Sequence, residues 1–145
     1  MKKPETLLQQ KIKKFLQYAF GGVWHKIHGD MYQDAGIGDL VGCCHGYYFN
    51  LEVKCPTNKK RKESQTNEID KVNQNGGCGS YVTSEEEAYE VVREYLKQKA
   101  IYLPEKSYEV MSREYKLRSM DGSRNRKDSG HAKGHYHLVE KGEDK

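Results

Sequence analysis

The chain has 145 residues, 35% of them hydrophobic and 32% charged, with a formal net charge of +4 and a mean hydropathy of -1.00. That length fits one domain with a modest core, and the apolar runs are only a few residues long, which excludes a helical membrane span. The opening MKKPET leads into charged sequence rather than a signal-peptide core, so the expected compartment is the cytoplasm, and the pI near 8.7 is a weak pointer to nucleic acid that many unrelated proteins share.

Residues 5–19 read as an amphipathic helix: Leu8, Ile12, Phe15, Leu16 and Ala19 recur at helical spacing, Pro4 suits the first turn, and Gly21 and Gly22 stop it. Glu5 favours the helix dipole in that first turn. Val23 to His28 reads as a short strand, followed by a loop rich in Gly and Asp. The stretch from Gly36 to Lys54, GIGDLVGCCHGYYFNLEVK, reads as a β-hairpin. Asp39 begins its first strand segment, Cys44 to Gly46 make the turn, and the second strand alternates Tyr47, Phe49, Leu51 and Val53 with Tyr48, Asn50, Glu52 and Lys54. Glu52 and Lys54 then share a face, and the turn folds Asp39 back towards them. Asp30 and Asp34, in the preceding loop, are rival acids with ordinary turn chemistry.

Pro56 ends the second strand, and Lys59, Lys60, Arg61 and Lys62 follow in a loop without an acid, which suits either a solvated connection or contact with phosphate. Residues 63–75 read as a polar helix with Gln65 near its start and only Ile69 and Val72 strongly apolar. Cys78 to Thr83 is the next strand, and Ser84 with Glu87 opens a helix to Lys99 whose apolar stripe is Ala88, Val91, Val92, Tyr95 and Leu96. Beyond it, YEVMSREYKLRSM suits a strand or a short helix, and the last residues are rich in Gly, Ser and charge, with His131, His135 and His137 spaced as a metal could accept. The division expected is a domain over residues 1–99 and a basic, partly flexible extension over 100–145.

An acid pair held close by a sheet repels itself, and a divalent cation is the usual relief. A lysine beside it can place a water or face charge growing on a phosphate, which makes the hairpin a phosphodiester-hydrolysis kit. GDL, LEVKCP, Gln65, NGG and the YVTSEEEA run resemble the PD-(D/E)XK nuclease superfamily, and more closely its compact VRR-NUC branch. Gly38 stands where that family usually has Pro.

The resemblance covers about residues 5–99. It implies a restriction-endonuclease-like α-β-β-β-α-β-α core, a small mixed sheet flanked by helices. It also implies Mg²⁺ or Mn²⁺ held by Asp39, Glu52 and the backbone carbonyl of Val53. Lys54 and Gln65 would be further catalytic residues, Glu5 a possible additional acid, and Lys59 to Lys62 contacts to nucleic acid. The function implied is a DNA endonuclease selective for branched or junction structure, in a homodimer, with a possible helicase partner. Stand-alone relatives are often phage-encoded, which would mean the host-cell cytoplasm.

Two other classes compete. One is a non-catalytic nucleic-acid-binding module, marked by salt-sensitive binding indifferent to metal. The other is a zinc-dependent interaction protein built on the tail histidines and the cysteines, of which Cys43, Cys55 and Cys78 could meet His45. The four cysteines contain no CxxC, so they are expected to be reduced strand residues.

Overall fold

The computed structural model describes residues 3–28, 36–57 and 60–120. Asp30, Asp34, Lys59 and the three tail histidines lie outside those residues.

Apolar residues at helical spacing form α1 (Pro4–Phe20), with Pro4 in its first turn and Gly21 ending it at φ 69. Its inward face, Ile12, Phe15, Leu16, Ala19 and Phe20, is buried. Strand β1 (Val23–Lys26) follows, then β2 (Leu40–Cys44) and β3 (Tyr47–Val53). Cys44 pairs with Tyr47, so the hairpin turn is His45 and Gly46, at φ 53 and 84. Two successive positive φ values suit the right-handed twist of the flanking strands.

Helix α2 (Glu63–Gln74) then crosses to β4 (Cys78–Val82), and α3 (Glu85–Gln98) and α4 (Tyr108–Met120) complete the order. The sheet runs β1-β2-β3-β4, antiparallel across the first two pairings and parallel between β3 and β4, as a helical crossover requires.

Alternation along β3 assigns the two faces. Phe49, Leu51 and Val53 join the core with α1 and α3, and Phe49 meets Trp24 and Tyr95 at ring distances of 5.3 and 5.2 Å. Asn50 and Glu52 point to the opposite face, where α2 lies against β3 and β4. Ile69 and Val72 are the buried residues of α2. This is an α/β fold with a four-stranded mixed sheet between helices.

The packed body continues past residue 99. Leu103, Met111 and Tyr115 belong to the same core, Tyr115 lies 5.6 Å from Phe15 and 5.0 Å from Tyr18, and the Tyr89 hydroxyl donates to the Lys106 carbonyl at 2.7 Å. Of the two forms open to YEVMSREYKLRSM, burial of Met111, Ser112 and Tyr115 on one side realises the helix. At the start of α3, Ser84 Oγ accepts the Glu87 N–H at 3.0 Å, as the capping pattern predicts. Among the described residues no helix is long and apolar enough to cross a membrane.

Candidate active site

The β2–β3 register pairs Leu40 with Leu51, which sets Asp39, immediately before β2, opposite Glu52 on the α2 side of the sheet. Asp39 Oδ2 accepts the Val53 N–H at 2.8 Å. The turn into Asp39 is held by Gly38, whose N–H donates to Asn50 Oδ1 at 2.9 Å. A Cβ on Gly38 would fall 2.0 Å from that oxygen and 2.8 Å from the Leu51 carbonyl oxygen. Glycine fits where proline would also lose the N–H.

Glu52 is only 3% exposed. Its Oε1 accepts from Gln65 Nε2 and lies 3.5 Å from Lys54 Nζ. Gln65 is in the first turn of α2, and its Oε1 accepts from Lys54 Nζ at 3.0 Å and from the Lys62 N–H at 3.2 Å. The helix start, the lysine and the acid are thereby locked together. The Lys54 N–H continues the parallel pairing to the Val82 carbonyl at 2.8 Å.

The charges conflict at this site. Burial, then the charge of Asp39, pushes the Glu52 carboxyl up to about 7, against the pull of Lys54. Burial also raises Asp39, opposed by the Val53 N–H, a hydrogen bond with Glu52, Lys54 and Gln9. Two carboxyls can hydrogen-bond each other only when one carries a proton. With both ionised, Glu52 Oε2 is buried without a hydrogen-bond partner. An orphaned oxygen beside a second acid is what a hard divalent cation satisfies, so the donor set fits Mg²⁺ or Mn²⁺. Among the described residues no group of three or more His, Cys, Asp or Glu could hold a metal. Mg²⁺ is commonly bound by one or two carboxylates, with waters and substrate phosphates completing the shell.

No family model matches the chain, and none of the curated proteins does. Among solved structures, one described as a VRR_NUC domain superposes with a TM-score of 0.51 at 25% sequence identity, over 63% of this chain and 96% of its own. The chain carries a VRR-NUC-like domain. A second structure, described as a VRR_NUC domain protein, aligns with a TM-score of 0.46 at 19% identity, over 63% and 84% of the two chains.

The VRR-NUC-like domain brings Asp39, Glu52, Lys54 and Gln65 into one connected group, with Val53 contributing its N–H. Glu5 lies on α1 a turn before Gln9, and its charge acts on Cys55, next to Lys54. The α1 side chain that hydrogen-bonds Asp39 is Gln9, 7% exposed, which sequence reasoning missed. Its signal was a glutamine in register with the buried stripe through Ile12, Leu16 and Ala19. Lys60, Arg61 and Lys62 are exposed beside the start of α2. All four cysteines are free thiols, Cys44 and Cys78 buried and Cys43 exposed. With His45 they form no metal-holding group among the described residues.

Proposed function

We propose that this chain is a metal-dependent endonuclease that hydrolyses phosphodiester bonds of DNA, selecting branched or junction structure over sequence. The observation that carries the reading is Glu52 Oε2, which is buried beside Asp39 and, with both carboxyls ionised, has no hydrogen-bond donor, with Lys54 and Gln65 fixed around the same carboxylate.

Asp39 and Glu52 would hold Mg²⁺ or Mn²⁺, with the Val53 carbonyl as a third ligand. When bound, such an ion lowers the pKa of a water and neutralises charge on a phosphate. Lys54 holds its amine 3.5 Å from Glu52 Oε1, where it would orient the attacking water and face the charge that builds up on the phosphate. Gln65 keeps the Lys54 and Glu52 side chains in place, so little reorganisation is needed when substrate arrives. Junction resolution requires paired sites and hence a homodimer, which sedimentation at high concentration checks.

The test is cleavage of a labelled four-way junction, a flap and a plain duplex with Mg²⁺, Mn²⁺ or EDTA, comparing the parent with Asp39→Asn. Metal-dependent cutting of branched DNA, lost in Asp39→Asn, is expected. Equal cutting by Asp39→Asn, or binding of all three without cutting, would overturn the reading.

A further inference from the structure

Tyr81 is the residue of β4 paired with Glu52 in the parallel register, so it stands on the active face, on the far side of Glu52 from Asp39. Its surroundings are specific. The Tyr81 hydroxyl lies 2.7 Å from Thr66 Oγ1, in the first turn of α2, and 3.5 Å from the Lys62 carbonyl. The Arg61 guanidinium lies over its ring, with Cζ 4.3 Å from the centroid. From the other side the Lys62 N–H is held by Gln65, which also contacts Glu52 and Lys54.

One arginine of the basic stretch is therefore fixed relative to the acid pair through two independent connections. An arginine lying on an aromatic ring gives its face to the π system and keeps its N–H edges, which match two phosphate oxygens in a fork. Ring contact also removes much of the freedom that an exposed arginine would lose on binding.

The geometry points to Arg61 as a preformed phosphate clamp for the strand being cut, gripping a backbone phosphate beside the scissile one, with Tyr81 as its positioning residue. This rests on the endonuclease reading and refines it. Lys60 and Lys62 add diffuse charge, whereas Arg61 sets where the backbone lies. Tyr81 touches neither substrate nor metal and acts through Arg61.

The experiment is binding of fluorescein-labelled duplex and four-way junction in EDTA, where no cutting occurs, over a range of salt. The variants are Arg61→Ala, Tyr81→Phe, Tyr81→Ala and the double variant Arg61→Ala with Tyr81→Ala. Lys97→Ala, at an exposed lysine in the last turn of α3, controls for simple loss of charge. Arg61→Ala should weaken binding about tenfold and lower the salt slope by about one. Tyr81→Ala should weaken it several-fold without removing any charge, and Tyr81→Phe, which keeps the ring, should stay within about twofold. In the Arg61→Ala background Tyr81→Ala should add nothing.

Arg61→Ala is a surface change that leaves the fold intact, so its result stands even if Tyr81→Ala lowers stability. The clamp is overturned if Arg61→Ala costs no more than Lys97→Ala, or if Tyr81→Ala costs as much without Arg61 as with it. A parallel cleavage assay with Mg²⁺ separates the two readings. Cutting by the parent with unchanged binding by Arg61→Ala removes the clamp alone. Coupled binding without cutting removes the nuclease and the placement beside a scissile phosphate, leaving Arg61 and Tyr81 as a coupled DNA-phosphate contact, and absence of DNA binding removes both.

Discussion

Replacing Glu52 with Gln should stabilise the metal-free protein while removing its response to metal. The side chain is almost fully buried, and its carboxyl is pushed from 4.5 up to about 7 by burial and by Asp39. A raised acid binds its proton more tightly in the folded state than in the unfolded one, so the penalty is absent below about pH 4.5, grows as pH rises, and is complete above about pH 7. A shift from 4.5 to about 7 corresponds to roughly 3 kcal/mol at pH 8. The amide never ionises, still accepts from Gln65, and can donate to Asp39.

In EDTA at pH 8, Glu52→Gln should therefore melt above the parent by on the order of 5–10 °C, and the gap should close towards pH 5. Adding Mg²⁺ at ten times its dissociation constant should raise the parent by about 1.4 kcal/mol and the variant by almost nothing. Differential scanning fluorimetry over pH, with and without Mg²⁺, reads all of this. A variant less stable than the parent at pH 8 without metal would show that ionised Glu52 does not burden the metal-free fold, and one stabilised by Mg²⁺ as strongly as the parent would show that Glu52 is not a metal ligand.

Mg²⁺ affinity of the parent should rise between about pH 6 and 8, because the raised Glu52 must give up its proton to bind the ion; calorimetry in buffers of different ionisation enthalpy would show the proton release. Gln65→Ala should lower single-turnover cleavage by about 10–100-fold, since its amide orients Glu52 and Lys54 from outside the ligand set, and should cost about 1–3 kcal/mol in thermal stability because buried Glu52 Oε1 loses its donor. Gly38→Ala should displace the turn that carries Asp39, because the added Cβ has no room against Asn50 and Leu51, and Mg²⁺ should then fail to raise the melting temperature. Met111→Ala should cost about 2–5 kcal/mol in urea unfolding, since Met111 is fully buried beneath the last described helix.

Elements with a strong period were legible in the sequence. The apolar stripe and paired glycines fixed α1, the alternation around a short turn fixed the β2–β3 hairpin, and the Ser84 cap fixed the start of α3. Asp39, Glu52 and Lys54 followed because strand alternation and the turn determine which side chains meet. Helix α4 was left open between helix and strand because its apolar residues fall on two sides: Met111 and Tyr115 face the core, while Val110, Leu117 and Met120 are exposed. Tyr89 escaped the α3 stripe because tyrosine reads as half-polar, yet its hydroxyl is satisfied by the Lys106 carbonyl and its ring stacks on Phe20 at 5.2 Å. Gln9 and Tyr81 were hidden for another reason. Each matters through a partner distant in sequence, Asp39 for one and Arg61 for the other, and no local pattern encodes such a pairing.

The most direct test is single-turnover cleavage of one labelled branched DNA by the parent and Lys54→Ala, with Mg²⁺, Mn²⁺ or EDTA. The parent should cut in either metal and not in EDTA, and Lys54→Ala should lose at least about 100-fold. Cutting that survives EDTA, or that proceeds equally without the Lys54 amine, would rule out hydrolysis by a metal held at Asp39 and Glu52 with Lys54 beside it.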